Sequence, residues 1–337
     1  MINIQENISL KDHNTFDIDV KAKHFANLSS VHNIQEFCKH KKYDKFLILG
    51  GGSNILFTKD FNGIIVKIEN KGIEIIEEDE KHVFVKAAAG EIWDDLVEFC
   101  VKNNYGGIEN LSNIPGTVGA APIQNIGAYG VELKDVFIQL EAIEISTGKT
   151  RTFSKNECEF GYRSSVFKNE LKGKYIITSV TIKLSKSPTL SFEYGAMRDE
   201  LKRLNIENPG LKDIRQAVIN IRSSKLPDPA IIGNAGSFFK NPVVENKKLE
   251  ALKRDYPNIP SYKQNEYSVK LAAGWLIDQC GWKGKSIGNA GVHKDQALVI
   301  VNHGGASGQE ILSLAENIQE SVHKHFGISL VPEVNIL

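Results

Sequence analysis

The sequence has few cysteines, and their arrangement suggests neither a bound metal nor a disulfide framework. Cys38, Cys100, Cys158 and Cys280 are widely spaced, and no two of them form a CxxC pair. Zinc cages and small secreted scaffolds both need cysteines at short, regular spacings. The composition therefore predicts a protein of a reducing compartment that folds without cross-links and without a metal site.

The chain also lacks long apolar runs and a net charge. No stretch approaches the roughly 18 apolar residues of a membrane span, and the N-terminal MINIQENISLKDHNTF lacks the apolar core of a signal peptide. Lysine plus arginine number 41, as do aspartate plus glutamate, so no overall field attracts nucleic acid or anionic lipid. We expect a cytoplasmic protein that binds neither nucleic acid nor membrane, and that holds any anionic ligand at a local site.

Length and hydrophobic periodicity predict a mixed fold. The 337 residues, 41% of them hydrophobic, suffice for two or three domains. Helices are predicted at 32–42, 91–102, 211–224, 268–280 and 308–326. Strands are predicted at 46–49, 63–68, 73–76, 82–88, 136–145, 176–184, near Tyr194, at 297–301 and in the tail 328–337.

Two glycine-rich segments are candidates for ligand-binding loops. The buried strand 46–49 runs directly into GGGSN (50–54), whose amides could surround a pyrophosphate at close range. The segment 103–130 is long, irregular and rich in glycine, which is more typical of a functional loop than of a linker. GGGSN alone would also suit a simple tight turn. Its combination with the second segment favours two loops that close over one extended ligand.

Other nucleotide-binding and hydrolytic motifs are incomplete. A Rossmann GxGxxG starting in GGGSN would need glycine at Ile55. Ile143 and Gln279 occupy the positions where the Walker-like endings GKT and GKS would need their first glycine. HExxH and GxSxG are absent, and the nine histidines do not cluster at metal-ligand spacing. The sequence gives little support to a hydrolase or a zinc enzyme.

Six blocks, in the same order, carry a resemblance to one family. They are FLILGGGSN (46–54), IPGTVGAAPIQNIGAYG (114–130), GYRSSVFK (161–168), GNAGSFFKNP (233–242), AAGWLIDQCGWKG with GNAGVHKDQALVIVN (272–302), and LVPEVNIL (330–337). With these blocks the sequence resembles the UDP-N-acetylenolpyruvoylglucosamine reductase (UDP-N-acetylmuramate dehydrogenase) family over nearly its whole length. The region SFEYGAMRDEL resembles the longer of the family's two types, in which a tyrosine loop closes over the substrate.

The resemblance implies a fold and a reaction. The fold is α+β, with an FAD-binding fold of the vanillyl-alcohol-oxidase type made of two FAD-clasping subdomains, residues 1–70 with 327–337 and residues 71–226. A C-terminal α+β substrate domain covers 227–326. The implied enzyme is a monomeric oxidoreductase of peptidoglycan precursor synthesis with non-covalent FAD. It reduces UDP-N-acetylglucosamine enolpyruvate to UDP-N-acetylmuramate by a ping-pong mechanism, in which NADPH is the hydride donor and leaves first.

The resemblance also assigns residues. Arg163 contacts the substrate carboxylate, Ser237 donates the proton to C2 after hydride reaches C3, and a protonated Glu333 stabilises the enolate-like intermediate. Tyr194 is the tyrosine of the closing loop, and Lys225 and Asn241 lie near the diphosphate. The implied FAD residues are Gly50, Gly51, Gly52, Ser53, Asn54, Pro115, Gly116, Gly119, Ala120, Asn125, Gly127, Ala128 and Arg222.

Two other functions fit parts of the sequence. An FAD-linked alcohol or sugar oxidase of the same fold often tethers its flavin through histidine or cysteine, and neither glycine-rich segment contains one. A non-catalytic nucleotide sensor would bind ligand without turnover. The joint presence of Arg163, Ser237 and Glu333 favours the reductase over the sensor.

Overall fold

Helices and strands both occur throughout the chain in this computed structural model, which describes residues 2–40 and 43–337. The helices are α1 (Val31–Lys39), α2 (Trp93–Lys102), α3 (Leu133–Val136), α4 (Gly195–Arg203), α5 (Leu211–Lys225), α6 (Asn246–Lys253), α7 (Ala273–Gln279) and α8 (Gly308–Phe326). Short 3-10 turns cover Lys11–His13, Glu109–Leu111 and Val118–Gln124.

The strands complete the mixed α+β architecture that the sequence predicts. They are β1 (Ile4–Ser9), β2 (Lys21–Leu28), β3 (Phe46–Leu49), β4 (Ile55–Leu56), β5 (Phe61–Ile68), β6 (Ile73–Glu78), β7 (His82–Ala88), β8 (Gly127–Ala128), β9 (Val131–Glu132), β10 (Phe137–Glu144), β11 (Thr150–Ser154), β12 (Tyr175–Ser185), β13 (Gly233–Ser237), β14 (Val243–Glu245), β15 (Ser261–Lys263), β16 (Ser268–Leu271), β17 (Ser286–Ile287), β18 (Ala290–Val292), β19 (Val299–Asn302) and β20 (Asn335–Ile336).

Three predicted elements are wrong, each because contacts distant in sequence decide the local structure. The predicted strand near Tyr194 is the start of α4, which buries Met197 and Leu201. The predicted helix 268–280 is divided into β16, which pairs with β14 and β15, and α7. The tail is a strand only at β20. The predicted helix 32–42 forms as α1, and its positions 41 and 42 lie outside the described residues.

Contacts divide the chain into two units. Unit 1 comprises Met1–Ile8, Ala22–Gly51 and Asn62–Ser224, and unit 2 comprises Ser9–Lys21, Gly52–Phe61 and Lys225–Leu337. This division differs from the three predicted domains, because residues 9–21, 52–61 and the tail group with the C-terminal region. Parallel pairing of β20 with β4 is one cause. The finer division into three domains stays a prediction.

Unit 1 contains two larger sheets and a continuous core. The five-stranded sheet has the order β11-β10-β12-β7-β6, and the four-stranded sheet has the order β1-β2-β5-β3 with β3 and β5 parallel. Alternation along β7 buries Val83, Val85 and Ala87 against α2 and neighbouring strands. A smaller core joins α4 and α5. The first glycine-rich segment follows β3, and the second follows α2.

Unit 2 is built on α8 and the sheet β13-β19-β18-β17. Ser307 and Glu310 form a capping box at the start of α8, and Gly327, with a φ of 62°, ends it. These local signals explain why the predicted helix 308–326 is confirmed at both ends. All four residues of β19 are buried, and α8 contacts β18 and β19.

Two features are absent from the described ranges 2–40 and 43–337. No helix there is long and apolar enough to cross a bilayer. No group of three or more histidine, cysteine, aspartate or glutamate side chains in these ranges could hold a metal ion.

We predict that Gly308→Ala strongly destabilises the protein. Gly308 is the first residue of α8, and a Cβ there would overlap the carbonyl oxygen of Phe57. Such overpacking should lower the free energy of unfolding by about 3 kcal/mol. Gly195, the first residue of α4, has open space around its Cβ position and is the matched control. Gly195→Ala should be roughly 0.4–1 kcal/mol more stable than wild type. Urea unfolding measures both, and a Gly308→Ala protein as stable as wild type would refute the packing argument.

Candidate active site

The two glycine-rich segments meet in unit 1. Gly50 and Gly51 follow β3 and approach the backbone of the second segment. A Cβ on Gly50 would lie 2.6 Å from Thr117 Oγ1, and one on Gly51 would lie 3.0 Å from Gly116 Cα. Only glycine allows this approach without displacing a neighbour. The predicted FAD residues Gly50, Gly51 and Gly116 are therefore adjacent.

The backbone of the second segment is fixed against β7 and the start of α2. The Val118 amide donates to Glu91 O at 2.9 Å, and the Gly119 amide donates to Ala89 O at 2.9 Å. Gly116 O accepts from the Trp93 amide at 3.0 Å. The amides of Val118 and Gly119 are thus already bonded, and a phosphate would have to bind other groups of this segment.

Asn125 has a structural role that the sequence does not reveal. It is fully buried with a φ of 45°. Its Nδ2 donates to Glu132 Oε2 at 3.0 Å and to Gly161 O at 3.1 Å, and its Oδ1 accepts from the Lys134 amide at 3.0 Å. These bonds tie the second glycine-rich segment to the turn that carries Arg163. Asn125 therefore acts on the site by supporting this turn.

Arg163 adopts a strained backbone conformation. Its φ of 52° lies in the left-handed region, which costs about 1–3 kcal/mol for a residue with a side chain. The guanidinium Nη2 donates to Gly127 O at 2.8 Å, and the guanidinium carbon Cζ lies 5.8 Å from the centroid of the Tyr162 ring. The surrounding turn thus fixes this charge beside the strand Gly127–Ala128.

Arg222 brings a second guanidinium to the same region. Its Nε donates to Asn113 O at 3.0 Å, and the phenol of Tyr129 is among the groups that act on its pKa. Burial lowers the pKa of Arg222; the charge of Arg163 lowers it further, while Tyr129 and Asp94 act in the opposite direction. Two nearby positive charges favour an anionic ligand.

Tyr129 lies between the arginines and Tyr194 and was not predicted as a site residue from the sequence. The two rings are perpendicular, with centroids 5.7 Å apart and an interplanar angle of 84°. Burial raises the pKa of the Tyr129 phenol, and the charge of Arg222 partly offsets this. The one sequence feature that could have indicated Tyr129 is its place as a bulky residue between the glycines of GAYG. In the structure its φ is 48°, which is uncommon for a residue with a side chain.

Ser237 lies at the end of β13 in unit 2. Gly236 has a φ of 67°, and the ladder with β19 is irregular between Asn234 and Ser237. Asn234 Oδ1 accepts from the Gly236 amide at 2.9 Å, and the Phe238 amide donates to Leu298 O at 2.8 Å. The bulge and these hydrogen bonds fix the backbone on both sides of Ser237.

The C-terminal tail brings Glu333 to the same strand. The Glu333 amide donates to Phe238 O at 2.8 Å, and the Lys240 amide donates to Val331 O at 3.0 Å. Glu333 is therefore paired with the residue after Ser237. Asn54 Nδ2 donates to Glu333 O at 3.3 Å. Three predicted site residues from distant blocks thus gather in unit 2.

Three further predicted residues of unit 2 differ in their surroundings. Gly52 has a φ of 66°, and a Cβ there would overlap His13 O. Lys225 is exposed at the end of α5. Asn241 Oδ1 accepts from the Ala273 amide at 3.0 Å, which supports the start of α7.

The predicted site residues form two groups, one in each unit. In unit 1 they are Gly50, Gly51, Pro115, Gly116, Gly119, Ala120, Asn125, Gly127, Ala128, Arg163, Tyr194 and Arg222. In unit 2 they are Gly52, Ser53, Asn54, Lys225, Ser237, Asn241 and Glu333. The first group combines glycines at close backbone approach with two guanidinium groups. The second group contains the hydroxyl of Ser237 and the carboxyl group of Glu333.

Two family models match the chain. An FAD binding domain matches residues 23–154, which include both glycine-rich segments. The C-terminal domain of UDP-N-acetylenolpyruvoylglucosamine reductase matches residues 228–337, which include Ser237 and Glu333. The residues of unit 1 with close backbone approach thus lie in a region similar to FAD-binding proteins.

Known proteins are similar over the full chain. A UDP-N-acetylenolpyruvoylglucosamine reductase of Flavobacterium johnsoniae is 51% identical over 335 residues, covering 99% of both chains. The protein of that name from Amoebophilus asiaticus is 49% identical over 338 residues, covering 100% of both. The solved structure of UDP-N-acetylenolpyruvylglucosamine reductase from Thermus caldophilus has a TM-score of 0.72 at 21% identity, covering 100% of this chain and 99% of that one. This last likeness, together with the FAD-binding match, confirms the predicted fold.

Asp94, on α2, is bonded to α5 and to Asn113, whose carbonyl oxygen accepts from Arg222. Its carboxylate accepts from Arg215 at 2.7 and 2.9 Å and from the Asn113 amide at 2.5 Å. Burial raises the pKa of Asp94, but these hydrogen bonds outweigh it and hold the pKa below its ordinary value. The ion pair therefore stabilises the fold most when Asp94 is ionised.

We predict that Asp94→Asn lowers the free energy of unfolding at pH 7 by about 1–3 kcal/mol. Because the folded-state pKa is lowered, this stabilisation is complete above the pKa of the unfolded carboxyl and is lost as pH falls through the folded-state value. The difference from wild type should therefore shrink below about pH 4. Urea unfolding at both pH values measures it, with the exposed neighbour Asp95→Asn as control. A difference independent of pH would contradict the assignment.

Proposed function

Because this chain belongs to the UDP-N-acetylenolpyruvoylglucosamine reductase family, we propose that it reduces UDP-N-acetylglucosamine enolpyruvate to UDP-N-acetylmuramate, using FAD and NADPH. It is thus an oxidoreductase of peptidoglycan precursor synthesis. The observation that best supports this reaction is the pairing of the tail with Phe238, which sets Glu333 beside the strand end that carries Ser237. We further propose that it acts as a monomer in the cytoplasm.

The glycine-rich segments are the groups that we propose for FAD. Gly50 to Asn54 would surround the pyrophosphate, and Pro115, Gly116, Ala120 and the strand Gly127–Ala128 would line the rest of the cofactor. The observed crowding fits this role, because a side chain at Gly50 or Gly51 would fill the space between the segments. FAD held there would supply the hydride chemistry, taking hydride from NADPH for transfer to C3 of the substrate.

Each proposed catalytic residue has a distinct task. The fixed guanidinium of Arg163 would hold the substrate carboxylate, and Arg222 would add positive charge to the region. The Ser237 hydroxyl would deliver the proton to C2, which needs accurate placement more than an unusual acidity. Glu333, held by the tail, would hydrogen-bond to the oxygen on which charge develops.

The sugar nucleotide needs further contacts to its diphosphate. Lys225 at the end of α5 and the amide nitrogen of Asn241 are donors of the required kind. Tyr194 is 47% exposed, so its phenol is accessible to a ligand. We propose each of these residues, taken by itself, as a donor to the diphosphate.

The proposed function is tested by anaerobic absorbance spectra of the purified protein. The protein should be yellow, lose its flavin absorbance with NADPH, and regain it when UDP-N-acetylglucosamine enolpyruvate is added. UDP-N-acetylglucosamine, which lacks the double bond, is the control and should not restore the colour. A protein that takes up no FAD, or whose reduced form is not reoxidised by the enolpyruvyl substrate, would refute the function.

We predict that Ser237→Ala separates the two halves of the reaction. Loss of a positioned proton donor should slow reoxidation by the enolpyruvyl substrate about 10²- to 10⁴-fold, while reduction by NADPH keeps its rate. Stopped-flow absorbance measures each half. Ser286→Ala removes an exposed hydroxyl that contacts His303 at 3.0 Å and should leave both halves unchanged. Equal reoxidation rates in Ser237→Ala and wild type would exclude this proton donor.

A further inference from the structure

Asn110 is a fully buried residue that connects two loops of unit 1. It lies in the 3-10 turn Glu109–Leu111. Its Nδ2 donates to Tyr129 O at 3.1 Å and to Ser191 O at 2.8 Å. One carboxamide therefore joins the second glycine-rich segment to the segment 186–194, which ends at Tyr194 and is here called the tyrosine segment.

The chemistry of this bridge requires an amide. Both partners are carbonyl oxygens, so only the NH₂ group can face them. The Oδ1 atom is buried and has no hydrogen-bond partner within the described parts of the chain, residues 2–40 and 43–337. A carboxylate at this position would direct a negative oxygen at two carbonyl groups. Position 110 thus keeps a buried amide with one unsatisfied oxygen, which is unfavourable by itself.

The turn that carries Asn110 is held in place. The Gly107 amide donates to Glu109 Oε2 at 2.6 Å, and Ser112 Oγ donates to Glu109 O at 2.6 Å. Trp93 Nε1 donates to Leu111 O at 2.9 Å. These hydrogen bonds fix the turn Glu109–Leu111. Asn110 therefore positions Tyr129 and Ser191 relative to this turn.

Both ends of the bridge lead to the contact between the two tyrosine rings. Tyr129 has a left-handed backbone with a φ of 48°, and its carbonyl is one acceptor. Ser191, the other acceptor, precedes Tyr194 by three residues in the tyrosine segment. The Tyr129 and Tyr194 rings are themselves in perpendicular contact. Asn110 thus fixes the backbone on both sides of the ring contact.

We propose that Asn110 is a positioning residue that holds Tyr194 where its phenol meets the diphosphate of the sugar nucleotide. This inference rests on the proposed function, because that function supplies the ligand of Tyr194. Asn110 touches neither substrate nor cofactor in this account and acts through the tyrosine segment. Its loss therefore weakens binding of the sugar nucleotide without altering the cofactor or the chemical step.

The test compares Asn110→Leu and Asn110→Asp with wild type. Leucine removes both donors and the unsatisfied oxygen at similar volume, and aspartate removes the donors and adds charge. We expect the KM for the enolpyruvyl substrate to rise about tenfold in Asn110→Leu and further in Asn110→Asp, because two hydrogen bonds are lost. The kcat, the FAD affinity and the rate of reduction by NADPH should stay near wild type.

Asn70 supplies the matched control. It is also buried, its Nδ2 donates to a backbone carbonyl, Thr178 O at 2.8 Å, and its Oδ1 has no partner in the described residues. It has no bond to the tyrosine segment. Asn70→Leu should lower thermal stability as Asn110→Leu does, yet keep the wild-type KM. A raised KM in both variants would show a general effect of destabilisation and overturn the proposal.

A double-mutant cycle with Tyr194→Ala tests whether Asn110 acts through Tyr194. In the Tyr194→Ala background, Asn110→Leu should not raise the KM further. Additive effects would overturn the proposal, as would a loss confined to kcat.

Hydrogen exchange provides a readout that does not depend on turnover. The amides of residues 191–195 should exchange faster in Asn110→Leu than in wild type and Asn70→Leu. Unchanged exchange there refutes the positioning role. A wild-type protein that fails to turn over the sugar nucleotide refutes the proposed function instead, and a measured increase in exchange would then still show that Asn110 holds the segment.

Discussion

The hydrogen bond from the Glu333 amide to Phe238 O is the interaction on which the proposed catalytic group of unit 2 depends. Residues 237 and 333 are almost a hundred positions apart, and this pairing places the tail beside residues 238–240, directly after β13. The same tail pairs with β4, and its Glu333 carbonyl accepts from Asn54, which ends the first glycine-rich segment. A short stretch of backbone thus assembles a carboxyl group, a serine and a predicted cofactor loop. Without this backbone pairing, nothing in the sequence around Glu333 would fix its position.

The predicted site residues of unit 1 are positioned by close backbone approach and by strained backbone conformations. Gly51 and Gly116 meet at a distance that no larger residue permits, and Arg163 and Tyr129 both adopt left-handed conformations. Each such residue is unfavourable alone and persists because its neighbours determine its position. Asn125 supports the turn of Arg163, and Asn110 supports Tyr129. The two asparagines therefore convert a glycine-rich, irregular region into a support for two arginines and two tyrosines.

The sequence predicts the elements whose signals are local. Helix α8 has a capping box at one end and glycine at the other, so its limits are readable from the sequence. Segment 268–280 is helical in its periodicity, but pairing with β14 and β15 turns its first four residues into a strand. The block resemblance locates Ser237, Glu333 and Arg163 in the chain but does not separate ligand contacts from supports. Asn125 shows this, since every polar group of its side chain is bonded within the protein. Asn110 and Tyr129 were not identified because their partners lie in other segments.

We propose that the tail delivers Glu333 to the chemistry at the end of the strand that carries Ser237. Stopped-flow absorbance of Glu333→Gln, purified with FAD, tests this claim most directly, because glutamine keeps the shape of the side chain and its backbone hydrogen bond. The account predicts reduction by NADPH at the wild-type rate and reoxidation by UDP-N-acetylglucosamine enolpyruvate that is slower by about 10²- to 10³-fold. Reoxidation at the wild-type rate would contradict it, and would mean that the tail serves only the fold.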